Sequence, residues 1–228
     1  MSMNEHEWMK CDDSEPMLDF LNAQASKRKL RLFACECARR VQSKADWMGD
    51  GEILLSERFA EGLASRRELR LARNQIGGIG SFSPAASASN LRSAILEEKA
   101  EISAQQAALC AGDFAYMVVF VSMNYVNNES SQAARADENK VQADLLREIF
   151  GNPFRPVAID PAWPAWHDGI IVKIAQSIYD ERAFANLPIL ADALEEAGCA
   201  NAELLAHCRQ PGPHVRGCWA VDLLIGKS

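Results

Sequence analysis

Between Gly151 and Pro164 the chain reads Gly-Asn-Pro-Phe-Arg-Pro-Val-Ala-Ile-Asp-Pro-Ala-Trp-Pro, with prolines at 153, 156, 161 and 164. Proline removes a backbone donor and pushes the residue before it out of the α region, so Gly151–Pro156 cannot be helical and Asp160–Pro164 is expected to extend the irregular path. The sequence on either side reads as helix. The expected fold is therefore all-α: a multi-helix bundle over residues 1–150, then an irregular proline- and aromatic-rich linker and a compact carboxy-terminal helical subdomain over 151–228. The second part is expected to pack on the first, as one domain or as two closely packed helical halves.

Periodicity carries the helix assignments. Leu30, Phe33, Ala34, Cys37 and Val41 recur at spacings of three and four, which places them on one face of a helix expected over Ser26–Met48. Ser14 is a plausible N-cap with Pro16 in the first turn of a helix reaching Leu21, and Ser65 with Glu68 forms a capping box. The Gly-, Ser- and Ala-rich stretch from Gly77 to Asn90 reads as a connector. Leu91–Val126 reads as one long helix or two abutting ones, and Ser131–Phe150 as another. Beyond the linker, helices are expected over Asp168–Phe184, from Pro188 to Gly198, over Asn201–Arg209 and, after the Gln210-Pro211-Gly212-Pro213 break, over His214–Ile225. Alternating βα units are absent, which weighs against a doubly wound sheet.

Seven cysteines at 11, 35, 37, 110, 199, 208 and 218, with no basic and apolar leader, point to reduced thiols in a cytoplasmic protein. The longest apolar run, Phe114–Met123, is about half the length of a membrane span. The net charge of −7 weighs against a nucleic-acid binder using its whole surface. One basic segment runs against that trend: Lys27, Arg28, Lys29, Arg31, Arg39, Arg40 and Lys44.

Three stretches together carry a resemblance: Arg28–Cys35, Phe150-Gly151-Asn152-Pro153-Phe154-Arg155-Pro156, and the carboxy-terminal segment with Tyr179–Phe184, Leu190–Cys199 and His214-Val215-Arg216-Gly217-Cys218-Trp219. They resemble a family of uncharacterised proteins of planctomycete-type bacterial genomes. The likeness covers both ends of the chain and not residues 45–130. It implies no activity and no catalytic residue.

Among candidate sites the carboxy-terminal Cys/His cluster is chemically the strongest. Cys199, His207, His214 and Cys218 supply the thiolate and imidazole donors of a tetrahedral zinc site. His214 and Cys218 are expected one helical turn apart, and Cys208 lies beside His207. No C-x-x-C knuckle accompanies them, and packing in the core with His214 as a cap is the bland alternative. Cys35-x-Cys37 points to opposite sides of a helix and reads as core. Asp180 and Glu181 read as a solvated helix end. Asp160 with His167 and Asp168 offers a second acid–imidazole arrangement near the aromatic linker, and turn chemistry with Asp168 as an N-cap is the bland alternative. Phe154, Arg155, Trp163 and Trp166 form a candidate partner-binding surface on the linker.

No nucleophile elbow, phosphate loop, H-E-x-x-H or dinucleotide fingerprint occurs, and Gly77-Gly78-Ile79-Gly80 has no preceding strand. The preferred reading is a non-enzymatic interaction or scaffold protein that binds a protein partner or itself and needs no cofactor. The second reading is a zinc-binding helical protein using the Cys/His cluster. The third is local nucleic-acid binding through residues 27–44.

Overall fold

The structure is a computed structural model and describes residues 3–21, 24–44, 49–76, 83–123 and 128–227. Those residues form helices and turns with no strand, so the chain is all-α. It divides into two units, Met1–Leu146 and Arg147–Ser228.

The first unit holds α1 (Glu5–Lys10), α2 (Ser14–Leu21), α3 (Lys27–Gln42), α4 (Gly51–Ala60), α5 (Arg66–Gln75), α6 (Pro84–Ile95), α7 (Ala100–Ser122) and most of α8 (Asn128–Phe150). Helix α3 is its hub, packed by α4, α6 and α7. Because neighbours surround it, α3 is buried on all sides from Leu30 to Ala38, not on the single apolar stripe that periodicity suggests. Small residues of α7, including Ala104, Ala107, Ala108 and Ala111, are buried, and side chains this short let neighbouring backbones approach. By length and composition α7 is also apolar enough to cross a membrane.

The basic residues of α3 are largely engaged inside the unit. Arg31, 2% exposed, donates to the carbonyls of Ile95, Glu97 and Glu98 at 3.1, 2.7 and 2.9 Å and so closes the carboxy-terminal end of α6. Arg40 grips Glu138 with two hydrogen bonds of 2.9 and 2.8 Å; Arg39 pairs with Glu57 and Arg28 with Glu61. A buried amide joins three helices: Ser14 donates to Gln142, and Gln142 donates to the Ala108 carbonyl.

Several boundaries differ from expectation for local reasons. Helix α3 ends at Gln42, with Ser43 turning the chain; residues 45–48, where it was expected to continue, lie outside the described residues, as does Gly77–Gly80. Pro84–Asn90 is helix, not connector, because Ser83 caps it and Pro84 occupies its first turn. Asp13 accepts from Glu15 N at the start of α2, while Ser14 is turned inward to Gln142. Leu91–Met123 falls in two helices, α6 and α7, broken between Leu96 and Lys99, and residues 124–126 lie outside the described residues. The capping box at Ser65 and Glu68 is present, and a second one at Asn4 and Glu7 starts α1.

The second unit holds the last turn of α8, α9 (Ala162–Ala165), α10 (Ile170–Glu181), α11 (Leu187–Glu196), α12 (Ala202–Arg209) and α13 (Trp219–Leu224). Ile171, Ile178, Leu187, Leu190, Leu194, Leu204, Val221 and Leu224 form its core, joined by Trp163, Tyr179 and three cysteines. Ala162–Ala165 forms the single turn α9 where an irregular path was expected, since a proline in a first turn gives up no helical hydrogen bond, and Asp168 does not cap α10. His167, Asp168 and Gly169 all take positive φ (44°, 55° and 78°), so the chain makes a left-handed turn before Ile170. The final helix starts at Trp219 instead of His214, because Pro213 and Gly217 (φ 95°) keep residues 211–218 irregular.

Candidate metal centre

Glu148 lies on the last turn of α8, on the apolar side marked by Leu145 and Ile149, and is 8% exposed. Three residues later Gly151 ends the helix, donating from its N–H to the Arg147 carbonyl with φ 66°. His207 occupies the last turn of α12, His214 the irregular loop after it, and Cys218, 1% exposed, caps α13.

The four side chains converge. One donor atom from each of Glu148, His207, His214 and Cys218 lies within 4.8 Å of all the others. His207 Nε2 stands 3.1 Å from Cys218 Sγ and 3.4 Å from Glu148 Oε2, and His214 Nδ1 stands 3.1 and 3.2 Å from the two Glu148 oxygens. Four ligands held tetrahedrally at zinc distances of ~2.0–2.3 Å lie ~3.3–3.7 Å apart, so small side-chain shifts separate this cluster from a coordination sphere. His214 also lines a surface cleft with Cys208, Gln210, Pro211 and Phe184.

The surrounding hydrogen bonds fix the rings. His214 Nε2 donates to the Gln210 carbonyl at 3.1 Å, leaving Nδ1 toward Glu148. Metal-bound histidines are commonly oriented in this way, by a carbonyl on the second nitrogen. Trp219 Nε1 donates to His207 Nδ1 at 3.1 Å, and the Gln210 carboxamide lies 3.4 Å from the same nitrogen. The backbone N–H groups of Val221 and Ala220 favour the Cys218 thiolate, an effect smaller than that of burial.

Charge follows from that geometry. Burial, reinforced by the Glu148 charge, holds the Cys218 thiol well above its ordinary pKa, so without a cation it keeps its proton. Burial lowers the His207 pKa, with His214 adding to the effect and Glu148 opposing it. Burial alone would lower His214 too, but the hydrogen bond and charge of Glu148 outweigh it and raise the value.

The expected ligand set is thus brought together in part. His207, His214 and Cys218 meet, while Cys199 packs in the core of the unit and Glu148 stands as the fourth donor. Cys208 is core as well, its thiol pushed up to about 12 by burial. Of the linker residues, Trp163 is 6% exposed and belongs to the core, Trp166 packs partly against it, and Phe154 and Arg155 are exposed. Asp180 and Glu181 accept from Gln176 and Ser177 at the solvated end of α10. Asp160 accepts from Ala162 N in a turn, and His167 is exposed against Trp166. All seven cysteines are thiols, with Cys35 and Cys37 fully buried.

Sequence reading misses Glu148, Gln210 and Trp219. A carboxylate on the apolar face of a helix's last turn is the one signal that could have flagged Glu148.

A cysteine-nucleophile reading of the cluster fits poorly. The thiol is enclosed, and His207 presents the same nitrogen to Cys218 and to Glu148, whereas a triad needs the two ring nitrogens to face different partners. No family model, curated protein or solved structure matches this chain.

Proposed function

We propose that this is a metal-binding helical protein whose second unit holds one zinc-class divalent ion through Glu148, His207, His214 and Cys218. The observation that carries the reading is the mutual approach of four donors from four separate segments within 4.8 Å, in a buried setting. One thiolate, two imidazoles and one carboxylate suit zinc and its first-row neighbours and do not suit magnesium or calcium, which take all-oxygen shells. Thiolate and carboxylate together neutralise a dication, so the buried ion carries no net uncompensated charge.

Four protein donors fill a tetrahedron and leave no open position for substrate. The role this supports is structural. The ion would tie the end of α8, the end of α12, His214 of the irregular 211–218 segment and the start of α13 to one point. Binding free energy of that kind is folding free energy.

Native mass spectrometry of protein purified in the presence of zinc tests the reading. The expected mass exceeds the chain by one ion, and the excess disappears in His207→Ala and in Cys218→Ser. A wild-type mass equal to the chain alone under zinc excess overturns it.

A further inference from the structure

The partners of His207 fix which of its ring nitrogens carries the proton. Indole Nε1–H can only donate, and Trp219 directs it at His207 Nδ1 from 3.1 Å. That nitrogen must therefore carry a lone pair, so the ring proton sits on Nε2, facing Cys218 and Glu148. A metal needs the opposite arrangement, with the lone pair on Nε2 and the proton on Nδ1. The Nδ1 proton would then confront the indole N–H, donor against donor. One acceptor is within reach: the Gln210 carboxamide, 3.4 Å from Nδ1, whose oxygen faces the ring after a half-turn of the amide.

We propose that metal binding exchanges the partner of His207 Nδ1, releasing the Trp219 indole and engaging the Gln210 side chain. This rests on the metal reading above. Gln210 is then a positioning residue for both imidazoles, through its carbonyl to His214 and its carboxamide to His207. Trp219 becomes the part of the fold that moves. Its ring lies against Gly151, where an added Cβ would sit 3.1 Å from the indole, so release of the hydrogen bond alters the seat of the ring at the end of α8.

The two residues have opposite predicted effects on affinity, which a merely structural role for either would not produce. Gln210 is exposed, so Gln210→Ala is expected to fold normally and to bind zinc about 10-fold more weakly, because a ligand's orienting partner is lost. Trp219→Phe keeps an aromatic ring, removes the competing donor, and is expected to bind roughly five-fold more tightly, the worth of one neutral hydrogen bond.

Zinc affinities are read by competition with a chromophoric chelator. The Trp219 indole N–H is followed in the full chain labelled with [15N]-tryptophan and assigned with Trp219→Phe. On adding one equivalent of zinc, the Trp219 resonance should move toward that of an unbonded indole. Stoichiometric zinc uptake with an unmoved Trp219 resonance, or wild-type affinity in Gln210→Ala, overturns the exchange and leaves the metal site standing. Absence of zinc uptake by the wild type overturns both.

Discussion

Replacing Gly151 by alanine drives a methyl group into the face of Trp219. The new Cβ would lie 3.1 Å from Trp219 Cγ and 3.2 Å from Cδ2, closer than van der Waals contact, at a backbone φ of 66°. The left-handed conformation alone costs a non-glycine residue about 1–2 kcal/mol. Forcing a methyl group into a filled site adds about 1–3 kcal/mol. The sum is roughly 2–4 kcal/mol, less than the extremes would give because Trp219 can yield slightly. Gly198 is the internal control. It lies in the same unit at φ 87°, and an added Cβ there meets nothing within 4 Å. Gly198→Ala should therefore lose only the conformational part, about 1–2 kcal/mol. Urea unfolding of the chelator-treated protein, followed by circular dichroism, gives both numbers under one condition. A gap of at least about 1 kcal/mol is expected between the two variants, and a Trp219→Ala change should shrink it. Equal losses within about 0.5 kcal/mol would refute the close approach of Gly151 to Trp219, and with it the seat assigned to that ring.

Three further outcomes are expected. Arg31→Met should destabilise the first unit by about 3 kcal/mol, since the Glu97 and Glu98 carbonyls lose a charged donor and Ile95 is left with Ser56 alone; a urea-unfolding loss under about 1 kcal/mol would show that solvent serves those carbonyls as well. Arg40→Ala should cost about 1.5–3 kcal/mol in the same assay, because the buried Glu138 carboxylate loses two charge-assisted hydrogen bonds and keeps only Lys44 at 3.6 Å, and adding Glu138→Gln should recover much of that loss; no recovery would mean that the pair's charge is not what matters. In the metal-free protein the charged His214–Glu148 pair contributes stability that is fully present below about pH 6.5, the unfolded imidazole value, and is lost as pH rises through the raised folded pKa. His207, whose pKa is lowered, acts in the opposite sense and loses stability as pH falls below about 6.5. His214→Gln should flatten the decline above pH 6.5 in urea midpoints, and an unchanged slope would assign that decline to another group.

Helix existence was largely legible in the sequence because spacing of three and four is a local property, readable without knowing what each face meets. The boundaries that were missed are places where a non-local or compositional factor wins. Pro84–Asn90 looks like a connector by composition, yet the Ser83–Pro84 pair is itself a helix-start signal that the surrounding glycines and serines obscured. His214–Gly217 looks like the first turn of a helix until Pro213 and Gly217 are weighed together. Ser14 looks like a cap, but its hydroxyl is drawn into the core by Gln142 at a separation of 128 residues.

The site divides along the same line. His207, His214 and Cys218 are close in sequence, and their residue types alone suggest a metal. Glu148 stands 66 residues before His214 and reaches it only through the fold of the second unit. Cys199 satisfied the sequence requirement for a fourth ligand but sits where α11 ends against the core. The basic run of α3 shows the converse, since Arg28, Arg31, Arg39 and Arg40 find internal acceptors that no charge count foresees. Nucleic-acid binding through residues 27–44 would have to compete with those pairs.

Cobalt substitution tests the metal centre most directly, because its spectrum reports ligand type and geometry together. Protein loaded with one equivalent of Co2+ should show strong visible bands of tetrahedral cobalt and an ultraviolet thiolate-to-cobalt transition. Cys218→Ser should remove the ultraviolet transition, and Cys199→Ser should leave the whole spectrum intact. A weak octahedral spectrum without thiolate charge transfer, or one that Cys218→Ser leaves unchanged, would contradict the site.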